Sequence, residues 1–427
     1  MIYLDYQATT PLAPEVAAAM RPWIETDFGN PHSPHRIGRE AAAAIAVARD
    51  RVMEALWQSP VRFERSQEDD LVAHAPGMGF GLRGSPNQII PSEVEKQEGL
   101  DAGRLSVSTS LDTKGKLYFT SGATEAANWA LKGAASRLPE GRRRIVTLAT
   151  EHACVLDTAE WLRTQEIDVE ILPVGRDGLV DLDLIAARID ERTGLVAAML
   201  VNNEIGVIQP VAEIAAVARS RGALFFCDAV QALGRVPIPL HACDMVAVSA
   251  HKVHGPKGTG ALWLRDGVEI DPLLHGGGQE GGIRSGTLSP ALCVGFGEAA
   301  RLLVERREAD HEHVERLWAK ALTPLGSGWS LNGSALNRYH GNLNIRAEGI
   351  DAARLISELR QIAFSAGSAC ASGSGRPSHV LSAIGLSDRE ARSSIRLGFG
   401  RYTSEDELVQ ALELVEEAAE RQRKFAA

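Results

Sequence analysis

The sequence predicts an α/β protein with a mostly parallel sheet in a large domain and a smaller α/β domain towards its C-terminal end. Short apolar runs of strand length alternate with helical patterns between residues 116 and 248, which is typical of parallel sheets covered by helices on both faces. Polar side chains follow several of these runs. The chain has 427 residues, enough for a large core and two domains.

Composition narrows the class of protein. Hydrophobic residues make up 44% and charged residues 23%, as in an ordinary globular protein. The formal charge of −10 argues against a nucleic-acid partner. No basic-then-apolar segment opens the chain and no apolar run reaches membrane-spanning length, so we expect no membrane association and a cytoplasmic location.

The cysteines are few and scattered. The chain has five, and none of them forms a Cys-x-x-Cys pair. This pattern fits neither a disulfide framework nor a zinc site, so a functional cysteine should act alone. The five are Cys154, Cys227, Cys243, Cys293 and Cys370.

The first part of the chain holds two helical patterns and an unusual insertion. Residues 15–23 and 39–56 have helical periodicity, and the polar turn 28–38 between them is either a binding loop or a plain connection. Residues 58–114 mix charged, Gly-rich and Pro-containing stretches without a sustained period. Such a segment is either a surface insertion of low order or a lid or partner-binding element.

A candidate phosphate site follows the insertion. Residues 116–120 form a predicted strand, and the small residues 121–125 open a predicted helix over 126–135. Backbone N–H groups at a helix N-terminus bind phosphate, and Thr124 can add a hydroxyl. The alternative is a helix cap without a ligand.

Polar side chains gather after the next predicted strands, which cover residues 144–149, 169–173, 195–201 and 224–227. His152 can stack on a ring or exchange protons, Asn203 can bond a ring oxygen, and Asp228 with Gln231 can contact a ring edge. Parallel strands deliver these groups to the same sheet edge, where open α/β sheets bind ligands.

Lys252 follows a further apolar run, residues 245–248, and precedes a Gly-Pro turn. A strand-end Asp228 and a strand-end Lys252 suit pyridoxal 5'-phosphate (PLP). The amine forms a Schiff base with the aldehyde, and the carboxylate keeps the pyridine nitrogen protonated as an electron sink. By itself a lysine in this position is more often a solvated loop residue, so the assignment depends on the other strand ends.

The last part of the chain carries two more candidate residues. After a Gly-rich loop (275–287) and a helical pattern (291–322), a second α/β portion has a strand over 342–346, a helix over 351–360 and a terminal helix from Ser404. Cys370 lies in a loop of Ala, Ser and Gly, which favours a reactive thiol over a packed one. Arg396, at a strand start, can fork onto a substrate carboxylate.

Together these segments resemble the cysteine desulfurase family, PLP enzymes of the class V aminotransferase group, in the branch that supplies sulfur for iron–sulfur cluster assembly. The motifs occur in family order over nearly the whole chain. They are Leu4-Asp-Tyr-Gln-Ala-Thr-Thr10, Phe28-Gly-Asn-Pro31, Thr120-Ser-Gly-Ala-Thr-Glu125, Glu151-His152, Val201-Asn-Asn-Glu-Ile-Gly206, Asp228-Ala-Val-Gln231, Ser249-Ala-His-Lys252, Arg284-Ser-Gly-Thr287, Gly367-Ser-Ala-Cys370 and Ser394-Ile-Arg396.

The resemblance implies the fold-type-I architecture of PLP-dependent transferases. The large PLP-binding domain would cover residues 15–305 with the insertion at about 58–114, and residues 1–14 and 306–427 would form the small domain. It implies a Schiff base at Lys252, Asp228 paired with the pyridine nitrogen, His152 stacked on the ring, and Asn203 and Gln231 at the ring substituent. The residues implied for the phosphate are Ala123, Thr124, Ser249, His251 and, reaching into the other subunit of a homodimer, Thr287.

The resemblance also implies an activity, a transferase reaction on L-cysteine. Arg396 would bind the substrate carboxylate, and Cys370 would take the sulfur as a persulfide, leaving alanine. Cys370 would pass the sulfur to an acceptor protein such as an iron–sulfur scaffold, and is implied as a transient, metal-binding iron–sulfur ligand. The rivals are a selenocysteine lyase or another PLP-dependent transferase, and a non-catalytic scaffold for which Lys252 and Asp228 would have no chemical use.

Two departures from the family pattern stand out. The insertion replaces a link of a few residues just before the phosphate-binding strand, where it either perturbs cofactor binding or partner access or has no effect. Gly281 stands where many relatives have a basic residue, which affects local contacts of the Gly-rich loop.

Overall fold

The computed structural model describes residues 1–57, 114–366 and 378–426. The insertion up to residue 113 and the predicted loop around Cys370 lie outside the described residues. The strands are β1 (Ile2–Tyr3), β2 (Gly115–Thr120), β3 (Arg144–Leu148), β4 (Asp168–Leu172), β5 (Thr193–Met199), β6 (Leu224–Asp228), β7 (Met245–Ser249), β8 (Gly260–Arg265), β9 (Trp329–Leu331), β10 (Asn342–Ala347), β11 (Ile362–Ala363) and β12 (Ser394–Gly398). The α-helices are α1 (Pro14–Glu25), α2 (Arg36–Trp57), α3 (Ala123–Ala135), α4 (Ala153–Arg163), α5 (Leu182–Arg188), α6 (Val211–Ser220), α7 (Pro290–Ala321), α8 (Ala352–Glu358), α9 (His379–Ala383), α10 (Asp388–Arg392) and α11 (Glu405–Ala426).

The largest sheet has seven strands in the order β2-β8-β7-β6-β5-β3-β4. Strand β8 runs antiparallel to both of its neighbours, and the other pairings are parallel. The mostly parallel α/β fold predicted from the sequence is therefore confirmed. Because β3, β5, β6 and β7 run in the same direction, the residues that follow them emerge at one edge.

Alternate side chains of these strands enter two different cores, one on each face of the sheet. Val246 and Val248 pack with α2, α6 and α7, whereas Met245 and Ala247 pack with α3 and α4. Both faces are covered, which explains why the strands read as continuous apolar runs instead of an alternating pattern.

A separate core lies in the C-terminal part of the chain. Strands β9, β10 and β12 form a three-stranded antiparallel sheet, and β1 pairs with β11 in parallel. Their apolar residues pack against α8, α11 and the second half of α7. Leu4 belongs to this core although it lies at the start of the chain.

Two element boundaries differ from the prediction in ways that affect the site. Helix α3 begins at Ala123 instead of residue 126, because the turn ends at Gly122 and the Glu125 carboxylate accepts the Ser121 N–H at 2.8 Å. Arg396 lies in the middle of β12, not at its start. Within the described ranges, no helix is long and apolar enough to cross a membrane.

Candidate active site

A cavity of about 1010 Å³ opens at the carboxyl edge of the seven-stranded sheet. It is large enough for a cofactor together with a small substrate. The residues predicted from sequence that line it are Ala123, Thr124, His152, Asn203, Asp228, Gln231, Ser249, His251, Lys252 and Arg396. The structure thus brings together groups from five strand ends and from the C-terminal part of the chain.

Lys252 occupies a short helical turn, Ala250–Lys252, directly after β7. Its ammonium group donates hydrogen bonds to the backbone carbonyls of Gln7 and Ala8, at 2.6 and 2.8 Å. The N-terminal segment therefore holds the lysine side chain at the cavity. Sequence reasoning missed this contact, since a backbone carbonyl has no residue signature.

Two buried carboxyl groups lie close together beneath the cavity. Asp228 ends β6, and its Oδ1 accepts the Val230 N–H at 3.0 Å. Burial raises the pKa of Asp228, while nearby His152 and Lys252 favour its charged form. Burial holds the pKa of Glu151 well above its usual range, and its Oε1 accepts the Met199 N–H at 2.7 Å. Burial thus favours the neutral form of Glu151, whereas His152 and Lys252 favour the charged form of Asp228.

His152 is fixed by the helix that follows it. It caps α4, and its Nδ1 accepts the Cys154 N–H at 3.1 Å. Burial lowers the pKa of His152, so at neutral pH the ring is uncharged and carries its hydrogen on Nε2. His251 is also neutral, because burial and the neighbouring Lys252 lower its pKa to about 4.

One end of the cavity lies at the start of α3. Ala123 and Thr124 form the first turn, where backbone N–H groups lack carbonyl partners within the helix. Arg284 makes a two-pronged ion pair with Glu125, at 2.8 and 3.1 Å, which ties the Gly-rich loop to this turn. Although burial opposes ionisation, the hydrogen bonds from Arg284 and Ser121 lower the pKa of Glu125.

Arg396 approaches the cavity from the C-terminal sheet, with a side chain only 1% exposed. One terminal nitrogen, Nη1, donates to the Asn203 carbonyl at 2.9 Å. The other, Nη2, donates to Asp5 Oδ1 at 2.8 Å. A guanidinium has two hydrogens on each terminal nitrogen, so one hydrogen remains on each for a bound carboxylate.

Sequence reasoning also missed Arg235 and His379. Half-buried Arg235 donates to Gln231 Oε1 and, at 2.7 Å, to the Lys252 carbonyl. The Gln231 amide also donates to the Gln7 carbonyl at 2.9 Å. Arg235 therefore joins the lysine and the glutamine. His379 lines the cavity, and its Nε2 contacts the Glu151 carbonyl at 2.8 Å.

Two predicted site residues are not part of this assembly. Thr287 is exposed and does not line the cavity formed by its own chain. Cys370 lies outside the described residues, so its position is not part of the geometry above. The described residues contain no cluster of three or more His, Cys, Asp or Glu side chains that could hold a metal ion.

Comparison with known proteins agrees with this geometry. The model of the class V aminotransferase family matches residues 92–412. A cysteine desulfurase IscS of Rickettsia bellii is 39% identical over 422 residues, which are 97% of this chain and 90% of that protein. A solved NifS-like protein, 30% identical, superposes with a TM-score of 0.80 over 98% of this chain and 99% of its own. The solved SspA in complex with cysteine is 31% identical, with a TM-score of 0.71 over 95% of this chain and all of the other.

The chain therefore belongs to the class V aminotransferase family of PLP-dependent enzymes. Within that family it is a cysteine desulfurase.

Proposed function

We propose that the cavity binds PLP through Lys252 and Asp228 and carries out the desulfuration of L-cysteine there. The observation that supports this most is the placement of these two side chains, from neighbouring strands β6 and β7, in one cavity. Asp228 is a buried carboxyl group whose charged form His152 and Lys252 favour, which suits a cationic pyridine nitrogen, so the residues present fit the cofactor. When bound, PLP supplies an aldehyde for amines and a ring that withdraws electrons from the α-carbon.

The remaining contacts of the cofactor follow from the same cavity. Neutral His152 would stack on the ring, and Asn203 and Gln231 would contact its substituent. Gln231 would use the amide hydrogen that Gln7 does not take. The phosphate would lie at the start of α3, held by Ala123, Thr124, Ser249 and His251.

The substrate would be bound and deprotonated by residues of this chain. Arg396 would hold the carboxylate of L-cysteine through its two remaining Nη hydrogens, and Asn203 would lie beside it. With L-cysteine bound, the amine of Lys252 would remove the substrate α-proton. The carbonyls of Gln7 and Ala8, which accept hydrogen bonds from Lys252, would orient that amine.

We assign the sulfur acceptor as Cys370, on the sequence of its loop. Its thiolate would attack the substrate sulfur, forming an S–S bond while the substrate C–S bond breaks with both electrons remaining on carbon. A proton added to Cβ and a proton returned by Lys252 to Cα then complete alanine, and the persulfide passes its sulfur to an acceptor such as an iron–sulfur scaffold protein. In that transfer Cys370 would act as a transient iron–sulfur ligand.

The domain division and the location belong to the same proposal. A large domain at residues 15–305 and a small domain at 1–14 and 306–427 agree with the separate C-terminal core that includes Leu4. The boundary falls within helix α7. A cytoplasmic location is supported by the four free, buried cysteines in the described ranges, because exported proteins tend to pair their cysteines.

The test measures alanine and sulfide released from L-cysteine with a reductant present, in the wild-type protein, Cys370→Ser and Lys252→Ala. We expect equimolar products from the wild type, none from Cys370→Ser despite normal cofactor absorbance, and neither products nor that absorbance from Lys252→Ala. Products that persist in Cys370→Ser would indicate a lyase route instead. Wild-type protein that binds PLP but yields no alanine would overturn the proposed reaction.

A further inference from the structure

The Arg396 guanidinium is held by the Asn203 carbonyl and, on its other terminal nitrogen, by the carboxylate of Asp5. Their ion pair spans 2.8 Å between Nη2 and Oδ1, with the arginine side chain 1% and the aspartate side chain 19% exposed. A planar guanidinium binds a carboxylate through two parallel hydrogen bonds only when its plane faces that carboxylate. Whatever fixes the plane of Arg396 therefore fixes the direction of binding.

Asp5 contacts three residues, namely Arg396, Ser365 and Gly398. Its Oδ1 also accepts the Ser365 hydroxyl at 3.2 Å. Its backbone lies beside β12 in a bridge to Gly398, and Ser365 pairs with Arg396 through backbone hydrogen bonds of 2.7 and 3.2 Å. The carboxylate thus sits in a rigid frame built around Arg396.

The same residue also shapes the turn that receives Lys252. The Asp5 carbonyl accepts the N–H groups of Ala8 and Thr9, at 2.9 and 3.3 Å. The Gln7 and Ala8 carbonyls in this turn bond the lysine ammonium group. Asp5 therefore contacts both groups that would meet an amino acid. Its side chain holds Arg396, which would bind the substrate carboxylate, and its backbone holds the turn whose carbonyls bond Lys252.

From this geometry we propose that Asp5 is a positioning residue that orients Arg396 towards the substrate carboxylate and so sets the preference for α-amino acids over simple amines. The inference rests on the proposed role of Arg396. The ion pair with Arg396 uses the Asp5 side chain, and the turn beside Lys252 uses the Asp5 backbone. A substitution at Asp5 therefore removes the contact with Arg396 and keeps the contacts of the turn. Binding of the carboxylate should weaken, whereas binding of the amine should not.

The experiment compares L-cysteine with cysteamine, which has the same amine and thiol but no carboxylate. The KM for L-cysteine is measured from alanine release, and the affinity for cysteamine from the change in cofactor absorbance. For Asp5→Ala we expect KM to rise by about tenfold, as for the loss of a charge-assisted hydrogen bond, with cysteamine affinity unchanged. Asp5→Asn, which keeps an acceptor oxygen, should raise KM by about threefold.

Two further comparisons make the result decisive. Adding Asp5→Ala to Arg396→Ala should cause no further rise in KM, since the residue acts through the arginine. Equal losses for L-cysteine and cysteamine, or additive effects in the double variant, would overturn the proposal. If Asp5→Ala fails to retain PLP, the proposal is tested with Asp5→Asn instead. An unchanged KM for L-cysteine in Asp5→Asn would also overturn the proposal. A wild-type protein that makes no alanine would instead refute the proposed function.

Discussion

At the residue scale, His254 shows how the chain secures the segment that faces Lys252. Its backbone N–H donates to Thr10 Oγ1 at 2.7 Å, and its Nδ1 donates to the Pro11 carbonyl at 2.9 Å. The residue has a positive φ of 66°, which is uncommon outside glycine. These two bonds attach the N-terminal segment to the turn after Lys252, next to the carbonyls that hold the lysine.

The first prediction concerns the pH dependence that His254 adds to stability. Burial, with a contribution from Arg401, lowers its pKa from 6.5 to about 3 in the folded protein. Between these values the unfolded chain binds more protons, so this contribution to stability is complete above pH 6.5 and is lost as pH falls towards 3. The loss between pH 6.5 and 4 should reach up to about 3 kcal/mol.

The measurement is urea unfolding at several pH values in the wild type and in His254→Asn, because asparagine tolerates positive φ. We expect the wild type to lose more free energy of unfolding than the variant as pH falls. The matched control is His32→Asn, at an exposed histidine, which should follow the wild type. Parallel curves for the wild type and His254→Asn would contradict the pKa assignment.

At the scale of elements, the strand ends were the predictable part of this site. Apolar runs reveal buried strands, and the polar residues that follow, such as Asp228 and Lys252, must emerge at the carboxyl edge. The contacts of Arg235 with Lys252 and of Gln7 with Lys252 could not be predicted. They join backbone carbonyls to distant side chains, so they depend on the path of the chain and not on a local pattern.

The short distance between the two elements that flank the insertion, α2 and β2, indicates that the insertion can be shortened. Arg49 of α2 donates to the Leu117 carbonyl of β2 at 2.5 Å, so the two elements are held together. From there α2 continues for about 12 Å and β2 begins about 7 Å away, whereas a linker of about 15 residues spans up to about 50 Å. The described residues that line the cavity come from residues 7–9, 121–258, 379 and 396.

We therefore expect a variant with residues 60–112 replaced by a Gly/Ser linker of about 15 residues to retain PLP absorbance and alanine release within about twofold. Both are measured beside the full-length protein. Lost PLP absorbance would mean that the insertion supports the cofactor site. Retained absorbance with lost turnover would favour the lid alternative.

At the scale of the whole molecule, Thr287 stands apart from the other residues predicted to hold the phosphate. Its loop is tied to the start of α3 through Arg284 and Glu125, yet its side chain is exposed and away from the cavity of its own chain. A homodimer in which Thr287 of the partner subunit reaches the phosphate end of the cavity would explain this placement. In a two-fold dimer each site would then combine Lys252 of one chain with Thr287 of the other.

That arrangement predicts complementation between two inactive variants. Lys252→Ala removes the amine, and Thr287→Asp places a negative charge beside the cofactor phosphate, so each homodimer should lack activity. In a mixed dimer, isolated by a different affinity tag on each chain, one site keeps both Lys252 and Thr287. The mixed dimer should therefore show about half of the wild-type alanine release. If Thr287 served its own chain, both sites would be defective and the mixed dimer inactive, which would exclude a shared site.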